Sequence, residues 1–157
     1  NLVDYYDKLL AEVELFILKH ARTNDPHSLY LLQSMYGVGK ILSLVMLYEI
    51  HDINRFPTVA NFISYSRLVK PQRESAGKKS GSRNSKIGNV HLKWAFSEAA
   101  VLFLKGNEPA QKIHQRRVSK YGKSKALAIL AQKLARAVYF MLKRKEPFNM
   151  QLFLNQV

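Results

Sequence analysis

Apolar residues in the first part of the chain recur at steps of three and four: Val3, Tyr6, Leu10, Val13 and Ile17, with Leu2, Leu9 and Phe16 widening the stripe. That spacing predicts one helix over residues 1–22 with heptad character. Two readings fit it. The stripe can pack on the domain's own core, or it can be a coiled-coil arm that leads to another domain or pairs with another subunit. Asp25-Pro26 then starts a second helix, aspartate as N-cap and proline at the first helical position, continuing through Leu29, Leu31, Leu32 and Met35. The run Tyr36-Gly37-Val38-Gly39-Lys40 breaks that helix, and residues 41–50 begin the next.

Arg55-Phe56-Pro57-Thr58 reads as a turn, with Thr58 capping a helix through Ala60, Phe62, Ile63, Tyr65 and Leu68. Residues 74–89, rich in glycine and serine, read as a loop that lacks order without its ligand. Residues 89–105 return to helix with Leu92, Ala95, Phe96, Ala99, Ala100 and Phe103 on one face and Gly106 as a stop. Asn107 and Pro109 open another helix that ends at Tyr121-Gly122, and residues 124–144 form the last, with Leu127, Leu130, Ala131, Leu134, Val138, Met141 and Leu142 at helical spacing. No strand alternation is visible. The predicted class is all-α: a compact helical domain with a helix-hairpin-helix-like element, a long basic Gly/Ser loop and an N-terminal coiled-coil-like helix.

Charge sharpens this outline. Of 25 lysines and arginines against 11 acids, residues 1–66 hold only five bases and seven acids, so the positive excess falls on the second half. Between positions 67 and 93 the bases are Arg67, Lys70, Arg73, Lys78, Lys79, Arg83, Lys86 and Lys93, with Glu74 the one acid; residues 109–145 hold eleven bases and no acid. So basic a domain is expected to neutralise phosphates, with nucleic acid the expected partner and a membrane surface the competing one. No apolar run approaches the roughly 18 residues needed to span a bilayer. With no cysteine, zinc ribbons, disulfide scaffolds and thiol nucleophiles are excluded. The start at Asn1 leads us to expect a piece of a longer protein.

The two glycines at Gly37 and Gly39 let a backbone turn and approach phosphate closely, while the amides of the next helix and Lys40 supply donors and charge; a plain helix-helix turn packed on the core is the competing reading. Metal chemistry is not expected, because His20, His27, His51, His91 and His114 lack ligand spacing and the acids are dispersed. Tyrosines 5, 6, 30, 36, 48, 65 and 139 fall on apolar faces, where core packing is the expected role; Tyr121, among lysines, stands apart. Ser75 is distinct. A serine hydroxyl attacking phosphate needs cations to stabilise developing charge, and Arg73, Lys78 and Lys79 surround it, with Ala76-Gly77 allowing close backbone approach. A solvated linker serine fits the same composition.

The order of motifs carries a resemblance. Residues 31–50 with Gly37-Val38-Gly39-Lys40, Arg55-Phe56, Leu68 with Pro71, Glu74-Ser75-Ala76-Gly77-Lys78, Lys86-Ile87-Gly88-Asn89 before Leu92-Lys93-Trp94-Ala95, and Lys133-Leu134-Ala135-Arg136 together resemble the C-terminal transposase domain of the insertion-sequence family one-ten, relatives of the Piv/MooV DNA invertases. The resemblance covers about residues 29–148. It implies a helical domain over 25–157 that follows a connecting helix over 1–24, with Ser75 as nucleophile for DNA strand cleavage and exchange. The family pattern has glycine directly after the serine; this chain has Ala76 there and then Gly77. It further implies an N-terminal RuvC-like domain, absent from this sequence, that holds Mg2+, so no cofactor is expected in this fragment, which alone is expected to bind nucleic acid without recombining it. The implied partners are DNA and a structured guide RNA, in a homo-oligomer, dimer or tetramer, assembled through the N-terminal helix, with a cytoplasmic, nucleoid-associated setting in a prokaryote. The nucleic-acid contacts so assigned are Gly37, Val38, Gly39, Lys40, Arg67, Lys70, Arg73, Lys78, Lys79, Arg83, Lys86, Asn89 and Lys93. The alternative is a non-catalytic helix-hairpin-helix nucleic-acid-binding module.

Overall fold

Asn1 opens the first helix by accepting a hydrogen bond from the Val3 amide, and α1 runs over Leu2–Asn24. The computed structural model describes residues 1–69, 73–75, 78–80 and 87–156. Only the end of α1 is covered by the rest of the chain: Leu18 and Ala21 are buried, while Leu2, Val3, Tyr6, Leu10 and Val13 are all more than half exposed. Packing on the domain's own core therefore accounts for the last turns of this helix and not for its heptad stripe.

Asp25 accepts from the Ser28 amide at 3.1 Å and starts α2, Pro26–Gln33. After the two-glycine turn comes α3, Lys40–Ile50, then a 3-10 turn at Ile53–Arg55 and α4, Val59–Tyr65, capped by Thr58. The remaining helices are α5, Val90–Leu104, α6, Glu108–Tyr121, α7, Lys123–Arg144, and α8, Met150–Gln156. Local chemistry explains the boundaries: Asn89 and Asn107 side chains cap α5 and α6, and Gly122 with φ 83° ends α6 where an L side chain would be strained.

The packed centre is α5 against α7. Leu92, Ala95, Phe96, Ala99, Ala100 and Phe103 are wholly buried, as their shared helical face predicts. Alanines on that face bring the helices close, and α3, α4, α6 and α2 close around the pair. Phe62 of α4 fills the middle, edge-on to Phe96 and against Tyr139, whose buried hydroxyl donates to the Phe56 carbonyl at 3.1 Å. Truncating a buried phenylalanine of this kind to alanine costs about 3–5 kcal/mol.

The body is all-α, as expected. Two elements depart from the expectation. Residues 73–75 and 78–80, at the start of the segment read as a loop and one residue before it, pair as an antiparallel hairpin, β1 over Arg73–Ser75 and β2 over Lys78–Ser80. A two-residue connection containing glycine suits such pairing, and three-residue strands leave too little alternation to detect. Helix α8 is likewise absent from the sequence pattern, because its seven residues are too few for periodicity to register; the Asn149 side chain caps it through the Leu152 amide. The tyrosines also differ: Tyr139 is buried, but Tyr5, Tyr6, Tyr30, Tyr36 and Tyr48 are exposed, although Tyr36 stands edge-on to Phe103 and donates to the Lys105 carbonyl, and the Tyr48 hydroxyl lies 3.4 Å from His20 Nδ1.

Candidate nucleic-acid interface

The basic segment leaves the body between α4 and α5, and its two ends are tied together. Ser66, buried, donates to the Phe62 carbonyl at 2.9 Å and closes α4. Arg67 follows with φ 54°, an unusual conformation for a non-glycine residue, and its Nε donates to the Gly88 carbonyl at 2.9 Å. The Asn89 amide donates to the Tyr65 carbonyl at 2.6 Å. Gly88 has φ 104°, and a Cβ there would lie 2.5 Å from the Tyr65 carbonyl oxygen, so both space and conformation demand glycine.

A polar cluster backs this base. Asn89 Oδ1 accepts from the Leu92 amide at 2.9 Å, and its Nδ2 donates to Glu49 Oε2 at 2.6 Å and reaches the Tyr65 hydroxyl at 3.4 Å. The Arg55 guanidinium donates to the Glu49 carbonyl at 2.9 Å and stands over the Tyr65 ring, 4.8 Å from its centroid. The Asn89 hydrogen bond holds the Tyr65 phenol below its usual pKa, with Arg55 acting in the same direction against burial and Glu49. Asn89, expected as a phosphate contact, thus has its side chain engaged within the fold.

The hairpin sets the backbone of Ser75 opposite Lys78, Glu74 opposite Lys79 and Arg73 opposite Ser80. Lys70, Arg83 and Lys86 lie outside the described residues. On the body side, Lys93 is exposed, and so are Ile87, Val90 and Trp94. Trp94 is a residue that the charge pattern does not single out; its exposure beside a basic segment offers a flat ring on which a base can stack.

The Gly37 to Lys40 turn is elsewhere. A Cβ on Gly37 would sit 2.7 Å from the Phe103 amide nitrogen, so the close approach of α5 accounts for this glycine. Val38 is buried and its amide donates to the Met35 carbonyl. Gly39, by contrast, would meet nothing within 4 Å if it carried a Cβ, and it heads α3 without a side-chain cap. Lys40 Nζ pairs with Glu14 Oε2 of α1 at 2.9 Å, an exposed bridge of small energetic weight. Gly37 meets the C-terminal end of α5 while Asn89 caps its N-terminus, so the two elements are about 20 Å apart along that helix. The fold separates the turn from the base of the basic segment.

Comparison with known families decides the assignment: the description "Transposase IS116/IS110/IS902 family" matches residues 29–115, more than half of the chain. The chain belongs to this transposase family. A comparison with curated proteins returns no match. The matched stretch runs from α2 into α6 and includes the turn at Gly37 and Gly39, the basic segment and α5, whereas α7, which completes the core, follows it. Members of a transposase family are recombinase-class enzymes. Among the described residues no helix of this transposase chain is long and apolar enough to cross a membrane, and no group of three or more His, Asp or Glu could hold a metal ion.

Proposed function

We propose that this chain is the strand-exchange half of a transposase, in which the basic segment holds DNA and a structured guide RNA and Ser75 attacks a DNA phosphodiester. Family membership is the observation that carries this reading. The hairpin register supports it, because Ser75 sits at the closed end of β1 opposite Lys78, and the ends of the segment are held together by the Arg67–Gly88 hydrogen bond. In the step we propose, the Ser75 oxygen bonds to phosphorus, the bond to the leaving deoxyribose oxygen breaks, and the serine proton ends on that oxygen. Arg73, Lys78 and Lys79 stabilise the charge that builds on the phosphoryl oxygens, and Arg67, Lys70, Arg83, Lys86 and Lys93 neutralise flanking phosphates.

Among the described residues no group of three or more His, Asp or Glu could hold a metal ion; we assign magnesium to a separate acidic, RuvC-like domain, so that this chain alone binds nucleic acid without recombining it. The exposed stripe of α1 supports the arm reading, with a second copy of the chain as its partner in a dimer or tetramer. We assign the protein to the nucleoid of a prokaryotic cytoplasm. The test is whether Ser75→Ala removes a covalent protein–DNA adduct.

A further inference from the structure

A second positive surface lies away from the serine segment, at the turn between α6 and α7. Lys112, Arg116 and Lys120 are exposed and spaced by four, so they form one ladder along α6. The ladder continues around the turn into Lys123 and Lys125, both exposed. Glu108, at the far end of α6, is the nearest acid along the chain, and neither ion pair among the described residues involves this stretch. Five cations so arranged repel one another, and an opposing polyanion is the simplest relief.

The centre of the patch is an aromatic ring. Tyr121 is 41% exposed, with Lys120 Nζ 5.1 Å and Lys125 Nζ 5.3 Å from its ring centroid. Gly122 beside it has φ 83° and would meet nothing within 4 Å if it carried a Cβ, so the turn is open on that side. An exposed ring flanked by cations is the combination that stacks an unpaired base while its phosphates are neutralised. The ladder rises about 12 Å over eight residues.

The surface is distant from the base of the serine segment. Tyr139 packs on Phe62 of α4, the helix that carries the base of that segment. Lys123 begins the same helix as Tyr139, about 24 Å away along its axis.

We infer that the α6–α7 turn is a second nucleic-acid site, which takes an unpaired strand by stacking a base on Tyr121 and seating its backbone on Lys112, Arg116, Lys120, Lys123 and Lys125. The inference rests on the reading that this chain handles nucleic acid and not on Ser75 being a nucleophile. Its test is fluorescence anisotropy of this chain with a labelled twenty-nucleotide oligothymidine and with a duplex of equal length, over a range of salt. The triple variant K112Q/R116Q/K120Q is expected to bind the single strand more weakly and to lose about two from the magnitude of the log–log salt slope. Tyr121→Ala is expected to weaken single-strand binding at least about fivefold while leaving the salt slope and duplex binding unchanged.

The pair K78Q/K79Q serves as the reference for the serine segment. If it loses affinity while the triple variant and Tyr121→Ala bind like wild type, the second site is refuted and the proposed function stands. If the wild-type chain binds neither oligonucleotide, both readings fail. Vesicles of phosphatidylglycerol and phosphatidylcholine form the last arm: vesicle binding lost in the triple variant, with oligonucleotide binding intact, assigns the patch to a membrane and overturns the inference. All the altered residues at this turn are exposed, and equal melting temperatures verify that the variants fold.

Discussion

Arg67 Nε donates to the carbonyl of Gly88, twenty-one positions later, at 2.9 Å. This bond, with the Asn89 amide on the Tyr65 carbonyl, converts the whole basic segment into an excursion with fixed ends.

Gly88→Ala is expected to loosen that base. The new methyl would meet the Tyr65 carbonyl oxygen at 2.5 Å and the backbone would hold φ 104° against its preference. A cost of about 2–3 kcal/mol follows, or roughly 4–12 °C in melting temperature for a domain of this size. An unchanged melting temperature would show that the segment's ends are not held as described.

The two glycines of the α2–α3 turn are expected to behave differently. Gly37→Ala presses on the α5 backbone at 2.7 Å and should lower the melting temperature by several degrees, whereas Gly39→Ala meets nothing within 4 Å and should not. If Gly39 and Lys40 approach phosphate, Gly39→Ala weakens nucleic-acid binding at constant stability. Loss of stability in both variants, with binding per folded molecule unchanged, makes the turn purely structural.

Much of this is legible in the chain because helix chemistry is local. Asp25-Pro26, Thr58, Asn89 and Asn107 announce their helices by capping, and the stripe from Leu92 to Phe103 announces the buried face of α5. What escapes is long-range. Nothing near Asn89 in sequence reveals Glu49, forty positions away, as its partner. Nothing near Tyr30 or Tyr48 in sequence tells that their side chains stay exposed. Of the site residues, Arg67, Asn89 and Lys93 gather at the base of the segment, while Gly37 to Lys40 lie at the other end of α5, a separation that only the helix's length reveals.

Acid sensitivity should trace in part to His114. Burial pushes its imidazole pKa below the ordinary 6.5, with the Arg117 charge acting the same way, and its Nδ1 is buried with no hydrogen-bond partner. The unfolded chain therefore binds the proton more readily. The stability this provides is complete above about pH 6.5 and lost as pH falls through the lower folded value. Melting temperature is expected to fall more between pH 7.5 and 5 for wild type than for His114→Gln; equal falls would exclude His114 as a contributor.

The uncovered stripe of α1 predicts self-association. Leu10→Glu with Val13→Glu alters residues 60% and 54% exposed, so the fold of one copy should be unaffected. Sedimentation equilibrium is expected to give an oligomer for wild type and a monomer for the double variant. An oligomer that survives both charges places the contact elsewhere.

The central claim is tested most directly by the full-length protein incubated with labelled element-end DNA, candidate guide RNA and magnesium, then run on a denaturing gel. Wild type is expected to give a protease-sensitive adduct in which DNA is linked to Ser75, and Ser75→Ala to give none while binding DNA with nearly unchanged affinity, since a neutral hydroxyl releases no counterion. An adduct of equal yield in Ser75→Ala would contradict the account and leave this domain as a binding module.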